Sequence, residues 1–182
     1  GVFQNQNPGN LVASDDALFF MQLAECIELD AATGKEMARH QLPESVRGGK
    51  YQWGYVSYQD GVLFGTATMR NDLEKRYRRR GRKTDDVTDG IFAIDVASGK
   101  HLWHYRGKTI EHNTVSIGAQ TVYFIDSSIT PEQRHEILQQ DKSGYKNLSE
   151  EEQNAAEVAL KKQDVRLAVA LDARSGDKKW AK

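Results

Sequence analysis

The chain has 182 residues with 25 Lys and Arg against 26 Asp and Glu, so it is close to neutral. That length suits about one domain, and no apolar run approaches the roughly 18 residues of a membrane-spanning helix. The single Cys26 excludes an internal disulfide framework and a thiolate-rich zinc site. No charged-then-apolar leader opens the sequence, so a secretory signal is expected to be absent or already removed.

The first strand signals lie in Leu11-Val-Ala-Ser-Asp-Asp-Ala-Leu-Phe-Phe20, two apolar runs around a polar turn. Behind them, Glu28-Leu-Asp-Ala-Ala-Thr-Gly-Lys-Glu-Met-Ala38 reads as strand, tight turn, strand. The Asp side chain can bond turn amides, and the Gly supplies a positive φ at little cost. The combination recurs. Tyr55 to Phe64 precedes Ala93-Ile-Asp-Val-Ala-Ser-Gly-Lys-His-Leu-Trp103, and Val115 to Phe124 precedes Ala170-Leu-Asp-Ala-Arg-Ser-Gly-Asp-Lys-Lys-Trp180. Asp30, Asp95 and Asp172 are equivalent, 65 and then 77 residues apart. Four short antiparallel strands are the content of one propeller blade. Three blades are visible, at about 8–40, 51–106 and 110–181.

Two insertions interrupt this pattern. Residues 69–90 separate the second and third strands of the second blade. Within them, 70–83 hold Arg70, Lys75, Arg76, Arg78, Arg79, Arg80, Arg82 and Lys83 against Asp72 and Glu74, an excess of six positive charges. Such a run could hold an anionic ligand; its plain reading is a solvated loop, partly neutralised by Asp85, Asp86 and Asp89. Residues 128–165 of the third blade read as a helical hairpin, about 131–140 and 150–163. Thr130-Pro-Glu-Gln133 and Ser149-Glu-Glu-Glu152 are capping-box starts. Ile137 and Leu138 supply an apolar stripe on the first helix, and Ala156, Val158, Ala159 and Leu160 one on the second. Glu150, Glu151, Glu152 and Glu157 would repel phosphate, so nucleic acid is not an expected partner.

The pattern Ala-x-Asp-x-x-Thr/Ser-Gly-x-x-x-Trp resembles the tryptophan-docking repeat of quinoprotein-type (PQQ-like) β-propellers. It is complete at Ala93, Asp95, Gly99 and Trp103, and again at Ala170, Asp172, Gly176 and Trp180. The first copy departs from it, with Glu28 for Ala and Ala38 for Trp. The resemblance implies an all-β fold of four-stranded PQQ-like blades carrying a basic loop and a helical hairpin. It also implies that each indole lies on the small Ala and Gly positions of the neighbouring blade, burying roughly 150–250 Å². Ala38 then predicts looser docking of the first blade. Propellers close with about four to eight blades, so the expectation is a fragment of a longer propeller, or two identical chains giving six blades. Partners are accordingly the missing blades or another protein, and the location implied is the periplasm or cell envelope.

Chemistry is sparse. His40, His101, His104, His112 and His135 show no helical ligand spacing, and His101 and His104 are expected on opposite faces of a strand. No nucleophile elbow, P-loop or dinucleotide glycine run is present. In a propeller the loop leading into each innermost strand forms a mouth of the axial channel. That places Tyr51, Gln52 and Trp53 in one blade, and Glu111, His112 and Asn113 in the next, as candidate ligand contacts. The plainer alternative makes Trp53 blade core and His112 an ordinary hydrogen-bonded loop residue. Three functions follow: a non-catalytic binding or scaffold propeller without cofactor, part of a PQQ- and calcium-dependent dehydrogenase, or a sensor or carbohydrate-contacting domain of a larger enzyme. The second would use Glu111 and Asn113 as metal ligands. By resemblance it also wants a pair of adjacent cysteines, and Cys26 stands alone.

Overall fold

The structure, a computed structural model, describes residues 11–46, 51–69, 79, 87–137 and 147–182. They form three four-stranded antiparallel sheets, each a meander in chain order. Sheet 1 holds β1 (Leu11–Ala13), β2 (Ala17–Gln22), β3 (Glu25–Asp30) and β4 (Glu36–Gln41). Sheet 2 holds β5 (Tyr51–Gln59), β6 (Val62–Met69), β7 (Val87–Asp95) and β8 (His101–Glu111). Sheet 3 holds β9 (Ser116–Gly118), β10 (Thr121–Ser127), β11 (Arg166–Asp172) and β12 (Lys178–Ala181).

Tight turns set the register. Asp60 and Gly61 join β5 to β6 with φ of 49° and 78°, the paired positive values that match the right-handed twist of a hairpin. The turns after β3, β7 and β11 share one design. Asp30 Oδ1 accepts from Thr33 N at 2.7 Å and from its hydroxyl at 2.6 Å. Asp95 does the same with Ser98 at 2.9 and 2.6 Å. Asp172 accepts from Ser175 N at 3.0 Å and Arg174 N at 2.9 Å. These bonds favour the charged carboxyl and, helped by Lys179, draw Asp172 down to about 2. Gly34, Gly99 and Gly176 then leave each turn at φ of 69°, 67° and 76°, a region that side chains with a Cβ avoid.

Period-2 alternation gives sheet 2 two apolar faces. Val62, Phe64, Ile91 and Ala93 pack forward onto Val122, Phe124, Val169 and Leu171 of sheet 3. Leu63, Phe92 and Ile94 pack backward onto Ala17, Phe19 and Cys26 of sheet 1. Trp103 reaches across the forward seam, its indole N–H donating to the Ala173 carbonyl at 3.0 Å. A Cβ on Gly176 would lie 2.5 Å from its Cγ. The glycine of the motif thus belongs to the neighbouring sheet. The alanine does not: Ala93 opposes Trp103, and Ala170 opposes Trp180, across strands of the same sheet. Small side chains there make room for the indole within its own blade.

Sheet 1 replaces that pair. Glu28 opposes Ala38, and its carboxylate reaches His40 Nε2 at 2.8 Å, both side chains being buried. Phe19 stacks on Tyr58 with centroids 5.2 Å apart. Among the described residues no atom lies within 4 Å of a Cβ built on Gly99, so none of their side chains covers the sheet 2 turn as Trp103 covers that of sheet 3. Beside Glu28, Cys26 is fully buried. Burial, then the nearby Glu28 charge, pushes its thiol up to about 12.

The hairpin comprises α1 (Pro131–Ile137) and α2 (Glu150–Gln163). Thr130 N donates to Gln133 Oε1 at 2.9 Å while Gln133 N donates to the Thr130 hydroxyl. Ser149 and Glu152 form the same reciprocal cap. On α2, Ala156 is buried and Ala159 and Leu160 half-buried, whereas Val158 is exposed. Positions i, i+3 and i+4 share a face and i+2 does not, which corrects the four-residue stripe. Leu138 and the end of the first predicted helix lie outside the described residues.

Trp103→Ala should lower stability by about 3 kcal/mol, the scale of a lost core tryptophan, in urea unfolding followed by circular dichroism. Cys26 should resist a disulfide-exchange reagent at pH 8 in the native chain and react fully once unfolded. Rapid native labelling would contradict its burial.

Candidate functional site

All three connections from second to third strand leave the sheets at one end. In sheet 1 this is the turn Leu23–Ala24, in sheet 2 the segment 70–86, and in sheet 3 the segment 128–165. Of the basic run 70–83, only Arg79 is described, and it is exposed; the rest lies outside the described residues. The β4–β5 and β8–β9 connections open at this same end. Two seams are tied there: Trp53 N donates to Leu23 O at 2.8 Å, and Thr109 Oγ1 to Ile129 O at 2.8 Å.

The sequence-derived contact residues sit here but do not converge on one cleft. Tyr51 opens β5 and is 38% exposed, while Gln52 and Trp53 behind it are buried. Trp53 stands edge-on to Phe92 at 4.9 Å, and a Cβ on Gly65 would lie 2.4 Å from its ring. It is a core residue between sheets. Glu111 is not on a leading loop but closes β8, opposite Val87, and Arg166 holds its carboxylate at 2.6 Å. His112 is buried at the start of a 3-10 turn, with Nδ1 2.6 Å from the Thr66 hydroxyl. Its ring fills the space above Gly54. Asn113 alone of the three is exposed. His101 and His104 lie on β8, the outermost strand of sheet 2, opposite Ile94 and Phe92; the register shift between them puts both on one face rather than on opposite faces, and His104 Nδ1 is 2.7 Å from the Ser45 hydroxyl. Among the described residues no three His, Cys, Asp or Glu side chains are placed to hold a metal ion.

What organises this end is a residue without a sequence motif. The β7–β8 register shifts between Thr88 and Gly90, opposite a bulge around Gly107, which turns backbone N–H groups away from their own sheet. Buried Asp126 of β10 collects them from Lys108 N at 3.1 Å and Thr109 N at 2.8 Å, with Ser127 N at 2.8 Å. Glycine is required at 107, where a Cβ would lie 2.5 Å from Asp126 Oδ2. The hairpin is anchored next to it. Ser127 Oγ donates to Asp164 at 2.5 Å, Ser128 Oγ donates to Gln163 O, and Arg134 pairs with Asp164 at 2.5 Å. Arg166 lies between Asp164, at 3.7 Å, and Glu111. Gly107 in the interior of β8 was the one signal in the sequence for this joint.

No protein-family model matches the chain, and no curated protein matches it in sequence. Solved structures do match. Quinohemoprotein alcohol dehydrogenase from Comamonas testosteroni superposes with TM-score 0.57 at 17% identity, over 94% of this chain and 26% of that one. The fold is that of the PQQ-like β-propellers. The quinohemoprotein alcohol dehydrogenase ADHIIG from Pseudomonas putida HK5 gives TM-score 0.52 at 9% identity, again over 94% and 26%. BamB from Moraxella catarrhalis gives 0.48 at 12% identity, over 97% of this chain and 38% of that one. The chain thus spans well under half the length of each. The described strands make three blades of that fold, and the strands flanking both insertions end on the same side.

Asp126→Ala strands two or more buried N–H groups and should cost about 3 kcal/mol or more in chemical unfolding. Glu111→Gln, which removes a partly exposed ion pair, should change stability by less than about 1 kcal/mol. Equal effects would remove Asp126 from its organising position.

Proposed function

We propose that the chain is a non-catalytic binding or scaffold module of a larger PQQ-like propeller in the cell envelope. The observation that carries this reading is the surface at the insertion end. Leu23 at 69% exposure, Tyr51 at 38%, Val165 at 49% and Val158 at 52% present apolar side chains there, around a hairpin pinned by Asp164 and Arg166. Where exposed apolar groups adjoin one another they mark protein-contacting surfaces. Leu23 in particular occupies φ of 57°, an unusual conformation for a residue with a side chain. The envelope location follows the family resemblance. No helix among the described residues is long and apolar enough to cross a membrane.

A quinone-dependent dehydrogenase is the alternative, favoured by the names of two structural neighbours. The residues described here suit it poorly. Glu111 is engaged by Arg166, Asn113 stands in solvent, and among the described residues no three His, Cys, Asp or Glu side chains are placed to hold a metal ion, whereas calcium takes six to eight oxygen ligands. The basic run is a further candidate contact for an anionic ligand.

A photo-crosslinking residue at position 158 or 23, in cells, should capture a discrete envelope protein, and one at position 177 at the opposite end should not. Equal capture at both ends, or none, would overturn the binding reading. Tryptophan quenching by PQQ that requires calcium, and that Glu111→Ala removes, would install the alternative.

A further inference from the structure

The two seams place unlike side chains at like positions. By register Ala93, Trp103 and Tyr105 of sheet 2 correspond to Glu28, Ala38 and His40 of sheet 1. Between sheets 2 and 3, β8 sends both of its rings across. Trp103 donates to the Ala173 carbonyl at 3.0 Å and lies over Gly176, while Tyr105 packs on Phe124 with centroids 5.3 Å apart. Between sheets 1 and 2, β4 has no such ring to send. Ala38 is a methyl group, and the His40 ring is drawn back to Glu28 of its own sheet at 2.8 Å. Among the described residues nothing lies within 4 Å of a Cβ on Gly99, where a ring at position 38 would rest.

The polar ties are as unevenly placed. Sheets 2 and 3 are joined at both ends. At the insertion end Asp126 takes the amides of Lys108 and Thr109 at 3.1 and 2.8 Å, and Arg166 holds Glu111 at 2.6 Å. At the opposite end the indole bond is accompanied by Arg174, 3.9 Å from Asp95. The ties described between sheets 1 and 2 gather at the insertion end. Trp53 N donates to Leu23 O at 2.8 Å. Ser45, on the connection from β4 to β5, meets His104 at 2.7 Å and accepts from Arg106 at 3.4 Å. Away from them the seam rests on apolar packing, with Phe19 stacked on Tyr58.

We infer that the seam between sheets 1 and 2 is an opening joint: sheet 1 swings on its insertion end while sheets 2 and 3 stay together as one body. Openings of this kind release one contiguous unit at a lower free energy than unfolding of the whole. Here the swing uncovers Phe19, Cys26 and the Glu28–His40 pair, all buried when the seam is closed. The outer faces of sheets 1 and 3 do not create the difference. Each of these two sheets has one face turned away from sheet 2, so whatever covers those faces bears on both alike. What distinguishes them is the seam that each makes with sheet 2. The inference stands on these internal contacts and is independent of the binding reading.

The test is amide hydrogen exchange of the full chain, read by mass spectrometry on β3 and β11, the third strands of sheets 1 and 3. Corrected for intrinsic rates, β3 should exchange at least about tenfold faster than β11. Its rate should also rise less steeply with urea, because a swing exposes less surface than unfolding does. Trp103→Ala removes the ring from the other seam and should bring β11 toward the rate of β3, with β3 unchanged. The triple variant Glu28→Ala, Ala38→Trp and His40→Tyr gives sheet 1 the set that sheet 2 carries. It should slow β3 at least about tenfold, and the slow alkylation of Cys26 should slow in step. Circular dichroism confirms folding, and if the triple variant unfolds, the wild-type and Trp103→Ala comparisons decide. Equal exchange of β3 and β11 in the wild type would overturn the inference. So would a β3 rate with the full urea slope of unfolding, or a folded triple variant in which β3 is as fast as before.

Discussion

The whole molecule depends on sheets that bury both of their faces. A four-stranded antiparallel sheet with Leu63, Phe92 and Ile94 on one side and Phe64, Ile91 and Ala93 on the other has no stable existence alone in water. It requires a neighbour on each side, and the chain supplies those neighbours to sheet 2 from its own ends. Trp103 gives the seam direction, because one sheet contributes the ring and the other the glycine turn beneath it. Direction is what lets blades add in series around an axis rather than pair off face to face.

The two seams solve the same packing problem with different chemistry. Between sheets 2 and 3 an indole spans the gap and its N–H finds a carbonyl. Between sheets 1 and 2 the ring is absent, and a carboxylate–imidazole contact between Glu28 and His40 occupies the buried strand pair, with Phe19 and Tyr58 stacked beside it. A large-to-small change at position 38 stands opposite a small-to-large change at position 28, which keeps volume in the layer. Buried polar partners of this kind must satisfy each other, since neither can turn to water. The seam between sheets 1 and 2 is therefore more sensitive to chemistry than to shape, and the seam between sheets 2 and 3 the reverse.

The fold was legible because its determinants are local and repeated. Asp30, Asp95 and Asp172 with their following glycines fix three turns by short-range hydrogen bonds, and the alternating runs before them fix which residues face inward. The capping residues Thr130, Gln133, Ser149 and Glu152 act within one helical turn and were equally readable. What the sequence hid acts across blades. Asp126 belongs to no motif, and its importance arises only when a bulge 17 residues upstream turns amide groups toward it. Glu111 looked like a loop acid because the extension of β8 past Gly107 is enforced by that same long-range contact. Trp53 and His112 are polar or aromatic residues near a predicted mouth, yet Gly65 and Gly54 open space that draws them into the interior.

The position of the two long segments has a consequence for how such a chain can change. Both replace the hairpin turn that in sheet 1 is only Leu23 and Ala24, while the turns that seat the indoles stand at the far end of every sheet. Growth at one end thus leaves docking at the other undisturbed. The Leu23–Ala24 turn is accordingly the natural point at which to graft a reporter domain or a binding loop, provided the Leu23 carbonyl that holds Trp53 is retained.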